Sequence, residues 1–142
     1  MNISIEIPSP DRKRNAFLTP MGTTPAGRNY FSLAVDSIPL LLRSRIFGQV
    51  SLWSHDSRFL AVQEWKESSP TSEPGSYALV ILDLFTRQEC TVAEVEALRS
   101  EIKPQEFMGD SLMYTVFYEG PFGTTKNFES NFQHLTGWQA IK

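Results

Sequence analysis

The sequence predicts an all-β-dominated protein folded as an antiparallel meander of hairpins, and three observations support this. A short turn containing an aspartate occurs three times, around Asp11, Asp56 and Asp110. Each turn is followed by an apolar stretch of the length of a strand. The 10 Phe, 4 Tyr and 3 Trp supply the aromatic side chains that strands favour. A tight Asp turn between two apolar strands is the connection that such a meander requires.

The N-terminal part of the chain reads as a series of short strands. Isoleucines alternate over residues 3–7, which predicts a strand that ends at the prolines beyond it. A second strand is expected at 15–19, and the Pro- and Gly-rich segment 20–28 is expected to be a loop. Residues 30–35 and 38–46 then read as two further strands, the second with arginines on a solvated face.

The central part of the chain is the best defined. A strand at 50–53 turns at Asp56 and returns antiparallel over 59–65. A polar loop, 66–76, is longer than a tight hairpin needs, and long loops often carry function. Residues 77–84 are apolar almost throughout, which predicts a strand buried on both faces.

Two later segments leave alternatives open. Residues 92–103 fit one short helix, with Val92 and Val95 on one stripe, but also a strand edge followed by a loop. Residues 107–118 repeat the pattern of the central hairpin. The tail, 127–141, fits a final strand pair broken at Thr136, although its spacings also allow a short C-terminal helix.

The central hairpin resembles one blade of a β-propeller. The stretch from Leu52 through the turn to Val62, followed by an apolar strand closing in Asp83 and Leu84, is similar to the Asp-turn repeats of Tol-type propellers and, more loosely, to tryptophan–aspartate repeats. In those families a blade reads W-S-P-D-G before its second strand. Here His55 replaces the Pro and Ser57 replaces the Gly.

The resemblance implies one β-rich domain over 1–142 with about three blade-like units, 1–45, 46–92 and 93–142. The Asp-to-Asp spacings are 45 and 54 residues, near the period of such repeats. A closed propeller needs about four to eight blades. The blade-like hairpins are therefore expected to form an incomplete propeller or a β-sandwich, unless several chains complete a ring.

Charge excludes some partners and favours others. Residues 1–45 hold six basic and three acidic residues, whereas residues 46–142 hold seven basic and thirteen acidic ones. The net charge of -3 argues against a general nucleic-acid binder, and the acidic part is suited to steering a basic partner. No run of apolar residues is long enough to span a membrane, and the N-terminus lacks the pattern of a signal peptide. A cytoplasmic protein is expected.

The sequence contains no pattern typical of a catalytic or metal site. The only histidines, His55 and His134, have no neighbouring ligands at metal-binding spacing. The single cysteine, Cys90, follows a buried strand without an activating neighbour and reads as a small core residue. No cofactor, metal or catalytic residue is expected.

These observations favour a non-enzymatic protein-binding module, a small cytosolic inhibitor resembling immunity proteins in general character, which masks a basic partner protein. One alternative is a subunit of an oligomeric propeller that binds a ligand at the ring axis, and another is a small hydrolase. Contacts are expected from acidic residues and from aromatic anchors in or beside the polar loop, the acidic segment 89–106 and the last hairpin. The candidate partner-binding residues are Glu64, Trp65, Glu67, Glu73, Glu94, Glu96, Glu101, Tyr118 and Phe122.

Overall fold

The computed structural model describes residues 3–66 and 73–142 and confirms the all-β antiparallel meander. In these residues the regular secondary structure is entirely β-strand, without a helix. The strands are β1 (Ile5–Pro8), β2 (Asn15–Thr23), β3 (Asn29–Val35), β4 (Ile46–Trp53), β5 (Phe59–Lys66), β6 (Ser76–Asp83), β7 (Gln88–Glu96), β8 (Ser100–Met108), β9 (Ser111–Tyr118), β10 (Thr124–Asn131) and β11 (Gln139–Ala140).

The strands form two open sheets. Eight strands follow one another in the order β1-β2-β3-β4-β5-β6-β7-β11, and the other three in the order β10-β9-β8. The first sheet folds back on itself between β3 and β4, which pair only at Phe31 and Phe47. As a result, the indole N–H of Trp53 in β4 donates a 2.9 Å hydrogen bond to the carbonyl of Ile7 in β1.

The molecule therefore has three layers: β1–β3, a central layer of β4–β7, and β8–β10. One core lies between the first two layers and contains Leu18, Leu33, Leu60 and Val80. A second core lies between the central and third layers. β5 and β6 are buried on both faces, because their alternate side chains enter opposite cores. This confirms the prediction made for residues 77–84.

The helix considered for 92–103 is absent from the described residues, where β7, a turn and β8 occupy this segment. The register of β6 and β7 shifts at one point, because Leu79 pairs with Ala93 but Val80 pairs with Thr91. Val92 is the extra residue of this bulge. It therefore packs against the second core together with Val95, three residues later. The spacing of three residues between Val92 and Val95, which is compatible with a helix, thus arises in a bulged strand.

Two further strand predictions are wrong. The strand expected at 38–46 does not form: residues 38–45 lie in successive turns and only Ile46 belongs to a strand, with backbone hydrogen bonds from Ile38 to Val35 and from Arg45 to Leu42. In the tail, β10 pairs with β9, whereas β11 pairs with β7 in the other sheet. The tail is therefore broken as expected, but its two strands do not pair with each other, and no C-terminal helix occurs among the described residues.

Candidate functional site

A cleft of about 680 Å³ opens at one end of the central layer, where four connecting segments meet. The lining comes from segments 54–59, 83–88, 107–110 and 132–138, and we call this site the turn cleft. Two of the three repeated Asp turns, those of Asp56 and Asp110, contribute to it. The pattern that identified the fold therefore also supplies the walls of the cleft.

The first wall is a turn that the chain builds twice. Ser54 Oγ donates a 2.6 Å hydrogen bond to Asp56 Oδ1, which also accepts the backbone N–H of Arg58. Ser9 and Asp11 repeat the Ser-to-Asp bond at 2.6 Å in the turn between β1 and β2. These bonds use only one oxygen of Asp56, so its second carboxylate oxygen, Oδ2, has no hydrogen-bond partner within the part of the chain that the structure describes.

The wall formed by Asp110 is built differently. β8 and β9 are joined by a two-residue loop, Gly109 and Asp110, in which Gly109 has φ of 57°. Such a positive φ at the first loop residue is typical of tight hairpins and favours glycine. The carbonyl of Asp110 accepts a hydrogen bond from Phe132, but its side chain has no hydrogen-bond partner among residues 3–66 and 73–142.

Aromatic rings form the floor of the cleft. The ring centroids of Phe59 and Phe132 lie 4.7 Å apart, and Trp138 lies 6.4 Å from Phe59. Phe107 packs edge-on against Phe132 at 5.8 Å. Phe59, Phe107 and Phe132 are buried in the second core, whereas Trp138 is half-buried. The cleft thus combines an apolar, polarisable floor with polar walls.

The positive charge in the cleft is already paired. Arg58 makes a bidentate contact with Asp83, with Nη2 2.8 Å from Oδ2, and its guanidinium lies 4.9 Å from the Phe59 ring centre. Burial raises the pKa of Asp83, but the hydrogen bonds from Arg58 and Thr86 and the charge of Arg58 together outweigh it, so the pKa is lowered and the carboxylate stays ionised. With this pair neutralised, Asp56 and Asp110 leave the cleft net negative.

The predicted contact residues Glu64 and Trp65 lie inside the protein. Glu64 is 4% exposed and its carboxylate is bound by Arg45, with Nε 2.7 Å from Oε2. Trp65 is 6% exposed and donates its indole N–H to Gln63. Both residues belong to β5, which is buried on both faces, and so they do not form part of an interaction surface.

Arg45 connects Glu64 to a second carboxylate. Its guanidinium also contacts Glu89, with Nη1 2.8 Å from Oε2. Burial lowers the pKa of Arg45, but the hydrogen bonds to both carboxylates outweigh it and raise the pKa. Burial likewise raises the pKa of Glu64, and Arg45 and Lys66 together more than reverse the effect, so that pKa is lowered. The three residues form a charged network that joins β5, β7 and the segment before β4.

The polar loop 66–76 is described only in part, and the predicted contact residue Glu67 lies outside the described residues. Glu73 is exposed, but its carboxylate accepts a 2.8 Å hydrogen bond from the backbone N–H of Ala26. A hydrogen bond from Thr24 and this bond hold the pKa of Glu73 below its usual value. Glu73 thus ties its loop to the turn between β2 and β3.

The other acidic candidates, of which Glu94 and Glu96 are exposed and Glu101 is half-buried, do not share one surface. Glu94 and Glu96 flank Val95, which packs against the second core, so both point to the opposite side of the central layer. Glu101 precedes the buried Ile102 and points outward from the third layer, with its carboxylate 3.7 Å from the Lys103 ammonium. A single acidic patch of these three residues is therefore not formed.

The two aromatic candidates lie at one end of the hairpin of β9 and β10. Phe122 is 98% exposed in the turn, and Tyr118 at the end of β9 is 38% exposed with Lys126 5.6 Å from its ring centre. The turn between β7 and β8 lies beside them, because the N–H of Glu119 donates a 2.7 Å hydrogen bond to the carbonyl of Arg99. Both residues remain available to a partner.

The turn cleft is the site that sequence reasoning missed. The sequence shows Asp56 and Asp110 as turn residues, and the formation of hairpins is enough to explain why aspartate occurs at both positions. Their second role depends on the packing of the third layer across the central one, which brings segment 107–110 beside segment 54–59. The one available signal was that both turns carry a carboxylate beside an aromatic residue, Phe59 or Phe107.

The described part of the chain gives little support to a metal site or a reactive thiol. No group of three or more His, Cys, Asp and Glu residues could hold a metal ion there. Cys90 is buried, which raises the pKa of its thiol, and its Sγ lies 3.2 Å from the carbonyl of Thr136. The same residues include no helix long and apolar enough to cross a membrane.

Comparison with known proteins adds no relative. No protein-family model matches the chain, and neither a curated protein nor a solved structure is significantly similar to it.

Proposed function

We propose that this chain is a non-enzymatic protein-binding module that recognises a basic partner, and that the turn cleft receives a cationic side chain of that partner. One observation carries the proposal. The cleft has an aromatic floor, and its walls hold the carboxylates of Asp56 and Asp110, which have no side-chain partner beyond their own turns in the described residues.

An arginine or lysine side chain satisfies both parts of the cleft. Its charged end meets the carboxylates in charge-assisted hydrogen bonds. The half-buried face of Trp138 offers a cation–π contact, for which tryptophan is the most favourable ring. Arg58 is paired with Asp83 and interacts more weakly with Asp56, so the cleft keeps a net negative charge.

The wider surface is suited to the same partner. Glu94 and Glu96 are exposed and add long-range attraction, which increases the rate of association rather than the lifetime of the complex. Tyr118 and Phe122 are exposed aromatic residues of the kind that anchor interfaces. A small binder of this type acts by covering the basic surface of its partner, as an inhibitor resembling immunity proteins does, and we place it in the cytoplasm.

The experiment is affinity capture from a lysate of the native organism, followed by measurement of binding to the purified partner. Asp56→Asn keeps the oxygen that accepts the turn hydrogen bonds, so the double variant D56N/D110N removes charge without removing the turn. The matched control, E94Q/E96Q, removes the same charge from β7. We expect a basic partner whose dissociation constant rises about tenfold or more for D56N/D110N, since hydrogen bonds to charged groups are worth about 1.5–3 kcal/mol.

The control variant should change the dissociation constant by no more than about threefold, chiefly through the association rate. Two results would contradict the proposal: a captured partner that is acidic, or equal affinity of the wild type and D56N/D110N for the basic partner.

A further inference from the structure

β10 is an edge strand with an unusual amount of exposed surface. Its eight residues, Thr124–Asn131, are paired with β9 over their whole length without a shift in register. Seven of them are exposed, and the remaining one, Ser130, is half-buried. Within the described residues, its other edge has no strand beside it. A row of backbone N–H and C=O groups is therefore open to a further strand.

The other open edges among the described residues are short or irregular. At one end of the eight-stranded sheet, β1 has four residues and ends at Pro8, which cannot donate a backbone hydrogen bond. At the other end, β11 has only two residues, and β7 beyond it is interrupted by the bulge at Val92.

The second edge of the three-stranded sheet is β8. It contains Pro104 with a bulge beside it, and the carbonyl of Ile102 already accepts a hydrogen bond from Gln63 of the central layer. Natural proteins use short edges, proline and bulges to prevent unwanted pairing. β10 has none of these three devices, so its edge is the one best suited to pairing.

The charges of β10 complement a second copy in the antiparallel direction. The strand carries one positive residue, Lys126, in its first half and one negative residue, Glu129, in its second half. An antiparallel second copy therefore faces each positive half with a negative half. A parallel copy would face like charges with like.

The aromatic residues indicate the register. In an antiparallel pair related by a twofold axis, one residue lies opposite its own copy, and both copies present the same face. With Phe128 on the axis, Lys126 lies opposite Ser130 and Asn127 lies opposite Glu129, so no like charges meet. Phe128 is 37% exposed and stacks on Tyr114, with ring centroids 5.4 Å apart and planes 16° apart. The pairing would extend this stack across the axis.

We propose that β10 binds β10 of a second copy of this chain, antiparallel and with Phe128 at the twofold axis, to form a six-stranded sheet from two third layers. The surface is separate from the one proposed for the basic partner, because no residue that lines the turn cleft belongs to β10. Failure of either proposal therefore leaves the other standing.

The first test is the mass of the full chain in solution, measured by sedimentation equilibrium at micromolar to submillimolar concentrations. We expect a dimer. Ser130 lies opposite Lys126 of the second copy, so Ser130→Lys places like charges across the edge and should raise the dimer dissociation constant about tenfold. Ser130→Glu places opposite charges there and should leave it no more than about threefold above that of the wild type. A monomer at all concentrations would overturn the proposal, and so would equal dissociation constants for the two variants.

The second test fixes the register by disulfide trapping. Opposed residues in an antiparallel pair have Cα atoms about 4.5–5.5 Å apart, within reach of a disulfide bond. Phe128→Cys should therefore cross-link under mild oxidation. The matched control, Lys126→Cys, lies on the same face but about 14 Å from its own copy, and should not cross-link. The wild type, whose only cysteine is buried, is the blank. Equal cross-linking at both positions would overturn the register.

Discussion

The backbone N–H of Asp11 donates a 2.9 Å hydrogen bond to Oγ of Ser57, and this bond joins two copies of the same turn that lie 45 positions apart in the chain. Both turns have the Ser-to-Asp hydrogen bond, and each contains a residue in the left-handed region, Arg12 with φ of 60° and Ser57 with φ of 64°. The repeat thus has a direct structural use, because it docks the first layer on the central one.

Arg12→Gly tests the shared turn. A non-glycine residue in the left-handed region costs about 1 kcal/mol, and Arg12 is exposed, so we expect the variant to raise the free energy of unfolding by up to about 1 kcal/mol. The control is Lys13→Gly beside it, where φ is negative and glycine should lower that free energy by about 0.5–1 kcal/mol. Urea denaturation measures both, and the account of the turn fails if the two variants shift stability equally.

Arg45→Met tests the charged network between β5 and β7. The change leaves the buried carboxylate of Glu89 without its cation and leaves Glu64 with only the partly exposed Lys66, 3.1 Å away, and we expect it to lower the free energy of unfolding by about 3–5 kcal/mol. Arg43→Met, at an exposed position two residues earlier, should change it by no more than about 0.5 kcal/mol. Chemical denaturation measures both variants. Similar losses in the free energy of unfolding would show that the ion pairs of Arg45 do not stabilise the fold.

Glu64 should also shape the dependence of stability on pH. Its pKa is lowered in the folded protein, so the folded state binds this proton less readily than the unfolded state. The stabilisation is therefore present above the ordinary value of 4.5 and is lost as pH falls through the lower, folded pKa. We expect E64Q to be less stable at pH 7 and to lose less stability between pH 5 and pH 2. Parallel curves for the two proteins would rule this out.

The part of the fold that sequence reasoning could predict is the part set by local patterns. The apolar runs of β5 and β6 predict strands buried on both faces, and the Ser-to-Asp turns predict the hairpins. The bulge at Val92 in β7 produced a spacing that resembles a helix. The strand expected at 38–46 is replaced by turns, in which Arg45 points inward to two carboxylates. Those outcomes depend on distant partners, which no local pattern contains.

The candidate site follows the same rule. Exposure of Tyr118 and Phe122 agrees with their position at the end of a hairpin, which the sequence indicates. Burial of Glu64 depends on Arg45, 19 positions away, and the turn cleft depends on the third layer crossing the central one. Single acidic residues could therefore be found in the sequence, but their grouping into one cleft could not.

The most direct test of the proposed function is whether the turn cleft takes up a guanidinium group. The measurement is a two-dimensional NMR titration of the indole N–H signals with N-acetyl-arginine amide, with the neutral isostere N-acetyl-citrulline amide as control. Trp138 is half-buried at the cleft, whereas Trp53 and Trp65 are buried and serve as internal references. We predict that arginine shifts the Trp138 signal with a dissociation constant on the order of 1–10 mM, that citrulline does not, and that D56N/D110N abolishes the shift. Equal shifts from arginine and citrulline, or a Trp138 signal that arginine leaves unmoved, would contradict the account.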